Sequence, residues 1–328
     1  MQSMLKILEA VQKAANRSVL ATIIQIEGSA YLKEGATMLI EENGHTVGMI
    51  SPGCLEEDLI LRCKDIFISQ RPQTIVYDLR SIDDLGWGQG MGCNGVLRVL
   101  VEPVTKNLKN DLLSVKNSLE NGHAVLHKKI FAVDYTLKNY SFEIVQEYEH
   151  ENGDSQIYNF QHMYEGYTYS FLYTPAPALI IFGAGEDAKP LVSLASRIGF
   201  IVKLCDWRPS LCNELHFPTA NQYIIGSPQE IVCSIDISEK DFVAIMSHSF
   251  SKDQEFLTNL RDYDVRYIGI LGSRERTSRL LGMEREQKNI YSPIGLSVGA
   301  QGPEEIAVSI MAEILQQYRQ SNGRCNDG

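Results

Sequence analysis

A chain of 328 residues has length for about two domains, and its 22% charged and 44% hydrophobic residues are those of a soluble globular protein with real cores. The net charge of −11 argues against a nucleic-acid surface, which needs clustered Lys and Arg. No apolar run approaches the ~20 residues of a membrane span, and seven cysteines, an odd number without paired spacing, suit a reducing compartment better than a disulfide framework.

The first seventeen residues set Lys6, Glu9, Lys13 and Arg17 between apolar positions. That predicts an amphipathic helix, not the apolar core of a signal peptide, so a cytoplasmic protein is expected. Ser18 to Ile26 predicts a strand, and Met38–Ile40 and His45–Ile50 flank Asn43-Gly44, a strong hairpin signal. Ser51-Pro52-Gly53-Cys54 then opens a helix with Leu55, Leu59, Arg62/Cys63 and Ile66/Phe67 at helical spacing. A thiol at a helix N-terminus becomes more thiolate-like and suits nucleophilic or metal-ligand chemistry; the plainer alternative is a small buried residue after a glycine.

Thr74–Leu79 predicts a strand leading into Asp83–Gly95, where residues 86–95 hold five glycines in ten around Trp87 and Cys93. Such a loop cannot pack a core, and it allows close backbone approach to a ligand or another chain. Val96–Val101 is the next strand. Cys54 and Cys93 therefore each stand on a glycine-bearing turn at a strand end, with 38 residues between them, which is not zinc-finger spacing. Residues 107–121 predict a helix, and 124–174 a β meander in which Ile144–Tyr148 and Gln156–Phe160 flank Asn152-Gly153. Its aromatic residues suit cross-strand packing. Thr174-Pro175-Ala176-Pro177 reads as a stiff boundary. The expected architecture is α/β: an N-terminal mixed α+β domain over 1–174, followed by a Rossmann-like doubly wound parallel-sheet domain over 175–328.

The second domain opens on Ala178–Phe182, Gly183-Ala184-Gly185-Glu186-Asp187-Ala188, a helical segment and a second apolar run ending in Asp206, 23 residues after Gly183. Gly183 serves the sharp turn, Gly185 a close phosphate, Ala188 helix–strand packing, and Asp206 ribose hydroxyls. Glu186 and Asp187 place two negative charges in the expected first turn of the helix, where a pyrophosphate wants bare N–H groups; capping the helix is their alternative role. Apolar runs at 222–225, 241–246 and 265–271 alternate with helical stretches at 228–234, 251–262 and 274–287, continuing a parallel sheet. His248 and Arg274 follow strand ends on the edge where such sheets bind ligands. His248 reads as a proton-transfer group or as a neighbour of a helix cap. Ile306, Ile310 and Ile314 line one face of a last helix opened by Gly302-Pro303.

Taken together, these segments resemble the XdhC family over nearly the whole chain: Gly28-Ser29 with Gly35-Ala36-Thr37-Met38, Gly53-Cys54-Leu55-Glu56, Gly92-Cys93-Asn94-Gly95 with Glu102-Pro103, Gly183-Ala184-Gly185, Asp206-Trp207-Arg208-Pro209, 269–274, and Pro293–Leu296 with Pro303–Ala307. The chain departs from the family pattern at Tyr31-Leu32, Ser51-Pro52 and Ser249. The resemblance implies a carrier that binds molybdenum cofactor (molybdopterin), protects it while a cysteine desulfurase installs its terminal sulfur, and hands it to an apo xanthine dehydrogenase-type molybdenum hydroxylase. It implies cofactor-binding roles for Cys54, Cys93, Gly53, Gly92, Gly183, Gly185, Asp206, Arg208, His248 and Arg274, with Cys54 and Cys93 as transient molybdenum contacts; soft thiolates suit a metal held by sulfur. A homodimer is the default expectation. The alternatives are an NAD(P)-dependent oxidoreductase, using Gly183, Gly185 and Asp206 for cofactor and His248 as proton donor, and an inert scaffold.

Overall fold

The computed structural model describes residues 2–53, 55–80, 94–145, 158–281 and 289–320. Cys54, the loop carrying Trp87, Gly92 and Cys93, the Asn152-Gly153 segment and the tail with Cys325 lie outside the described residues. The chain divides into two compact units, Met1–Pro175 and Ala176–Gly328.

In the N-terminal unit, helix α1 (Gln2–Lys13) precedes strands β1 (Ser18–Ser29), β2 (Thr37–Glu41) and β3 (Thr46–Gly48). Helix α2 (Glu56–Ser69), strands β4 (Gln73–Asp78) and β5 (Asn94–Pro103), and helix α3 (Lys106–Glu120) follow. The five strands form one antiparallel sheet in the order β3-β2-β1-β5-β4. The Asn43-Gly44 hairpin pairs Ile40 with Thr46, and Gly44 takes the φ of 88° that such a turn requires. Residues 18–24 of β1 are buried without alternation because both sheet faces are covered. Val19, Ala21 and Ile23 pack with Leu59, Cys63, Ile66 and Phe67 of α2, and Leu20 packs with α1 and α3. Burial pushes the Cys63 thiol up to about 12, so this cysteine is a packing residue.

A second, four-stranded antiparallel sheet comprises β6 (Ala124–Phe131), β7 (Leu137–Val145), β8 (Tyr158–Met163) and β9 (Gly166–Tyr173), in the order β7-β6-β9-β8. This corrects the expected meander. Two hairpins meet through β6 and β9, and β7 and β8 take opposite edges, so among the described residues the segments flanking Asn152-Gly153 are not paired with each other. Burial accounts for the order. Val125, His127, Lys129 and Phe131 of β6 and Tyr169 and Tyr173 of β9 are buried, whereas β7 and β8 hold few such residues. The aromatic residues pack across strands as expected, Phe160 stacking on Tyr167 at 5.3 Å and Tyr158 meeting Tyr169 edge-on at 5.8 Å. Lys129 is fully buried and donates to Glu102, itself buried on β5. Burial and the Lys129 charge hold the His127 imidazole well below its ordinary value, and its ring stacks on Phe142 at 4.1 Å.

The second unit is a Rossmann domain. Its elements are β10 (Ala178–Phe182), α4 (Ala188–Ile198), β11 (Ile201–Asp206), β12 (Gln222–Ile225), α5 (Pro228–Ser234), β13 (Phe242–Ile245), α6 (Phe250–Leu260), β14 (Tyr267–Ile270), α7 (Arg274–Leu281), β15 (Ile290–Tyr291) and α8 (Gly302–Gln320). The six strands are all parallel in the order β12-β11-β10-β13-β14-β15, the doubly wound arrangement with its reversal between β10 and β13. Two-residue β15 is too short to show a period. On one face, Ile231 and Val232 of α5, Phe256 and Leu260 of α6 and Leu280 of α7 close over Ile180, Phe182, Val243, Ile245, Ile268 and Ile270. Helices α4 and α8 pack together, with Leu191, Ala195, Ile310 and Ile314 buried. Helix α4 begins at Ala188 with no acid in its first turn. Glu186 and Asp187 precede it, and Asp187 at the N-cap makes no side-chain capping bond.

Candidate functional site

The reversal of strand order opens a crevice outside the carboxyl ends of β10 and β13. One lip is the turn Gly183–Asp187; the other is Met246-Ser247-His248. Gly183 has φ 120°, and a Cβ there would stand 2.6 Å from Met246 C and from Ser247 N and Cα, so only glycine lets the turn lie on the strand that carries His248. A Cβ on Gly185 would stand 2.7 Å from Asp187 Oδ1. The small residue thus leaves room for that carboxylate, which accepts from His248 Nε2–H at Oδ2 (2.6 Å). Glu186 pairs with Lys189 Nζ at 2.6 Å. The two acids therefore bond the Lys189 and His248 side chains, and Asp187 makes no capping bond to the helix.

His248 has φ 61°, the left-handed region that a residue with a Cβ rarely occupies. Its neighbours hold it there. Ser247 Oγ accepts from Ser249 N–H at 3.1 Å and donates to Asp253 Oδ1. Asp253 is fully buried, and its Oδ2 accepts from Arg276 Nη2 at 2.6 Å, tying α6 to α7. No motif marks Asp253, Arg276 or Ser247 in the sequence. The one available signal was the acid at 253, in helical register with the buried Phe256 and Leu260 and so on the apolar face of α6.

Asp206 ends β11 at 0% exposure. Oδ1 accepts from Arg208 N–H (2.8 Å) and Nε–H (2.9 Å); Oδ2 accepts from Ala184 N–H (2.7 Å) and Arg208 Nη2–H (2.8 Å). These bonds fill the roughly four lone-pair sites of a carboxylate. Burial pushes its pKa up, but the bonds from Arg208 and Ala184 outweigh it and hold the group below its ordinary value. The Arg208 guanidinium also lies over the Trp207 ring at 4.5 Å. Gly183, Gly185, Asp206, Arg208 and His248 thus share one connected arrangement. Arg274 opens α7 after the next strand and is exposed.

In the N-terminal unit Gly53 is exposed with φ 104°, just before α2. Glu56 folds back over this turn. Its Oε1 accepts from the N–H groups of Ile50 (3.2 Å) and Ser51 (2.6 Å), and its Oε2 from Ser51 Oγ (2.6 Å) and the N–H groups of Gly53 (3.1 Å) and Leu55 (3.2 Å). The backbone donors on either side of position 54 are therefore already engaged. Partial burial pushes the Glu56 pKa up, but the bonds from Ser51, Ile50 and α2 prevail and hold it low. A carboxylate with a depressed folded value contributes stability that is full above its ordinary 4.5 and is lost as pH falls through the folded value. Glu56→Gln is expected to cost about 1–2 kcal/mol at pH 7 and to abolish this part of the acid limb, read from urea midpoints between pH 3 and 7.

Comparison with known proteins places these features in a family. Residues 179–314 match the XdhC Rossmann domain, and residues 11–78 match the XdhC and CoxI family. The chain is 37% identical to a Bacillus subtilis protein named as a probable xanthine dehydrogenase subunit, covering 94% of this chain and 96% of that one. It is 24% identical to the molybdenum cofactor insertion chaperone PaoD of Escherichia coli, over 90% of this chain and 82% of the relative. A crystal structure described as a xanthine dehydrogenase from Bacillus halodurans superposes with a TM-score of 0.87 at 43% identity, covering 97% and 96% of the two chains. With its Rossmann domain and its full-length relatives, this chain belongs to the XdhC family.

Proposed function

We propose that this protein is a maturation factor for a xanthine dehydrogenase-type molybdenum hydroxylase, binding molybdenum cofactor, shielding it while a cysteine desulfurase installs its terminal sulfur, and delivering it to the apoenzyme. A maturation role has the support of the relatives named as a molybdenum cofactor insertion chaperone and as a xanthine dehydrogenase subunit. The observation that carries the choice over the NAD(P)-dependent oxidoreductase is the internal commitment of the dinucleotide fingerprint. Gly183 seats the β13 tip, Gly185 makes room for Asp187, and the Asp206 carboxylate is filled by Ala184 and Arg208. An adenosine ribose would have to displace one of those donors.

The chemistry of the donor set fits the cofactor. Molybdopterin carries its metal on its own sulfurs, so what the protein has to supply is soft contacts and groups for the anionic parts of the cofactor. On the N-terminal unit, Cys54 and Cys93, with Gly53 and Gly92 beside them, are our candidates for the soft contacts. On the Rossmann unit, the exposed His248 and Arg274 are our candidates for anionic groups such as the pterin phosphate. When bound, the cofactor supplies the metal and exchangeable sulfur that the hydroxylase requires. We take the working form to be a cytoplasmic homodimer.

Protein purified from cells that make the cofactor is expected to retain molybdenum, measured by elemental analysis, and to activate a purified apo-hydroxylase. Cys54→Ser keeps the size and replaces a soft donor with a hard one. It is expected to fold normally and lose both properties. Wild-type levels of both in the serine variant would leave Cys54 a packing residue, and micromolar NAD(P) binding with hydride transfer would favour the oxidoreductase.

A further inference from the structure

We propose that the N-terminal unit binds an internal water molecule between its two sheets, held by the Tyr169 hydroxyl, His127 Nε2 and the Lys129 ammonium. The three side chains stand on one face of the second sheet. Register sets Lys129 directly opposite Tyr169, and His127, two residues before Lys129 on β6, diagonal to it. The His127 and Tyr169 rings meet edge to face with centroids 6.4 Å apart. Bulk solvent does not reach the group, with His127 at 5% exposure and Lys129 and Tyr169 at 0%. Yet Tyr169 Oη and His127 Nε2, both enclosed, have no hydrogen-bond partner among the described residues. The neighbouring polar groups are engaged elsewhere. His127 Nδ1 bonds Tyr173 Oη at 3.2 Å, the Tyr158 hydroxyl donates to Ile24 O at 2.9 Å, and the Tyr140 hydroxyl donates to Asp111 Oδ2 at 3.0 Å.

The donor set selects the ligand. An ammonium has three hydrogens to give, and Glu102 takes one from Lys129. The imidazole is neutral in this setting, so with its hydrogen on Nδ1, given to Tyr173, Nε2 presents a lone pair. A phenol hydroxyl can both give and accept. One donor, one acceptor and one group of either kind match a water, which accepts from Lys129, donates to His127 Nε2 and completes its bonds with Tyr169 Oη. Three bonds are the usual number for a buried water. A cation would face the Lys129 ammonium, and an anion would face the Nε2 lone pair beside the Glu102 carboxylate. The neutral ligand is the one that offends none of these groups, and it relieves two buried polar atoms of their desolvation.

Tyr169→Phe in the full-length protein tests this, because it removes one hydroxyl and leaves the ring. With a water in place, the variant deprives that water of a partner and is expected to raise the unfolding equilibrium constant about fivefold in urea titrations. An unpartnered hydroxyl predicts the opposite sign. Its removal ends a desolvation cost, so a variant as stable as wild type, or more stable, overturns the proposal. A high-resolution crystal structure of the wild-type protein gives a second, direct reading. It is expected to show a water oxygen within hydrogen-bond distance of Tyr169 Oη, His127 Nε2 and Lys129 Nζ. A structure in which Tyr169 Oη and His127 Nε2 bond each other or another protein group, with no water between them, overturns it equally. Neither result bears on the carrier reading, which rests on other residues.

Discussion

Replacing Lys129 with alanine is expected to lower the stability of the N-terminal unit by about 3–5 kcal/mol, the largest effect expected of a single change in this protein. The ammonium is at 0% exposure and Glu102 at 3%, so neither charge reaches water and each is compensated by the other. Removing the lysine strands the carboxylate between the sheets, beside the buried hydroxyl-bearing rings of Tyr169 and Tyr173. The cost comes from the abandoned charge more than from the lost bond. Lys129→Met with Glu102→Gln, which removes both charges at nearly constant volume, is therefore expected to recover most of the loss. Urea unfolding followed by tyrosine fluorescence tests this. A double variant no better than the single one would show that the pair contributes mainly by packing.

The second large effect is expected for Gly183→Ala, about 3 kcal/mol against the Rossmann unit. Two costs combine there. Alanine is strained at φ 120°, and its Cβ would need space held by the backbone of Met246 and Ser247, 2.6 Å away. Backbone at the tip of a central strand, where Met246 N–H bonds Phe182 O at 2.8 Å, cannot swing aside as a side-chain tip can. The β13 tip must move away from the turn, carrying His248 from Asp187. Amide exchange of residues 242–248 should therefore rise together with the loss of global stability. A stable variant with unchanged exchange in that segment would mean that the turn relaxes alone. Gly185→Ala, by contrast, meets only a carboxylate oxygen and should cost little stability, which makes it the cleaner probe of the pair.

Local pattern determined much of this protein. The αβ alternation after residue 178 shows a parallel doubly wound sheet, because the central apolar runs are strands buried throughout and the amphipathic stretches are helices that cover them. The Asn43-Gly44 hairpin and the helix carrying Leu59, Cys63, Ile66 and Phe67 were equally legible, since turn chemistry and helical period are written within a few residues. The family, too, is readable from ordered motifs along the chain. Strand order in the second sheet was not. Adjacent strands in sequence need not pair, and β6 and β9 took the centre because their side chains, Lys129 included, had to be buried. The use of the glycine turn likewise awaited the fold. Gly183, Gly185 and Asp206 satisfy a dinucleotide fingerprint as letters, and only three-dimensional packing shows their room and lone pairs filled by Ser247, Asp187, Ala184 and Arg208. Asp187 and His248 lie 61 residues apart, and a hydrogen bond between side chains leaves no periodicity for a sequence to carry. Spacing could place each on a strand end; the parallel pairing of β10 with β13 brought them within 2.6 Å.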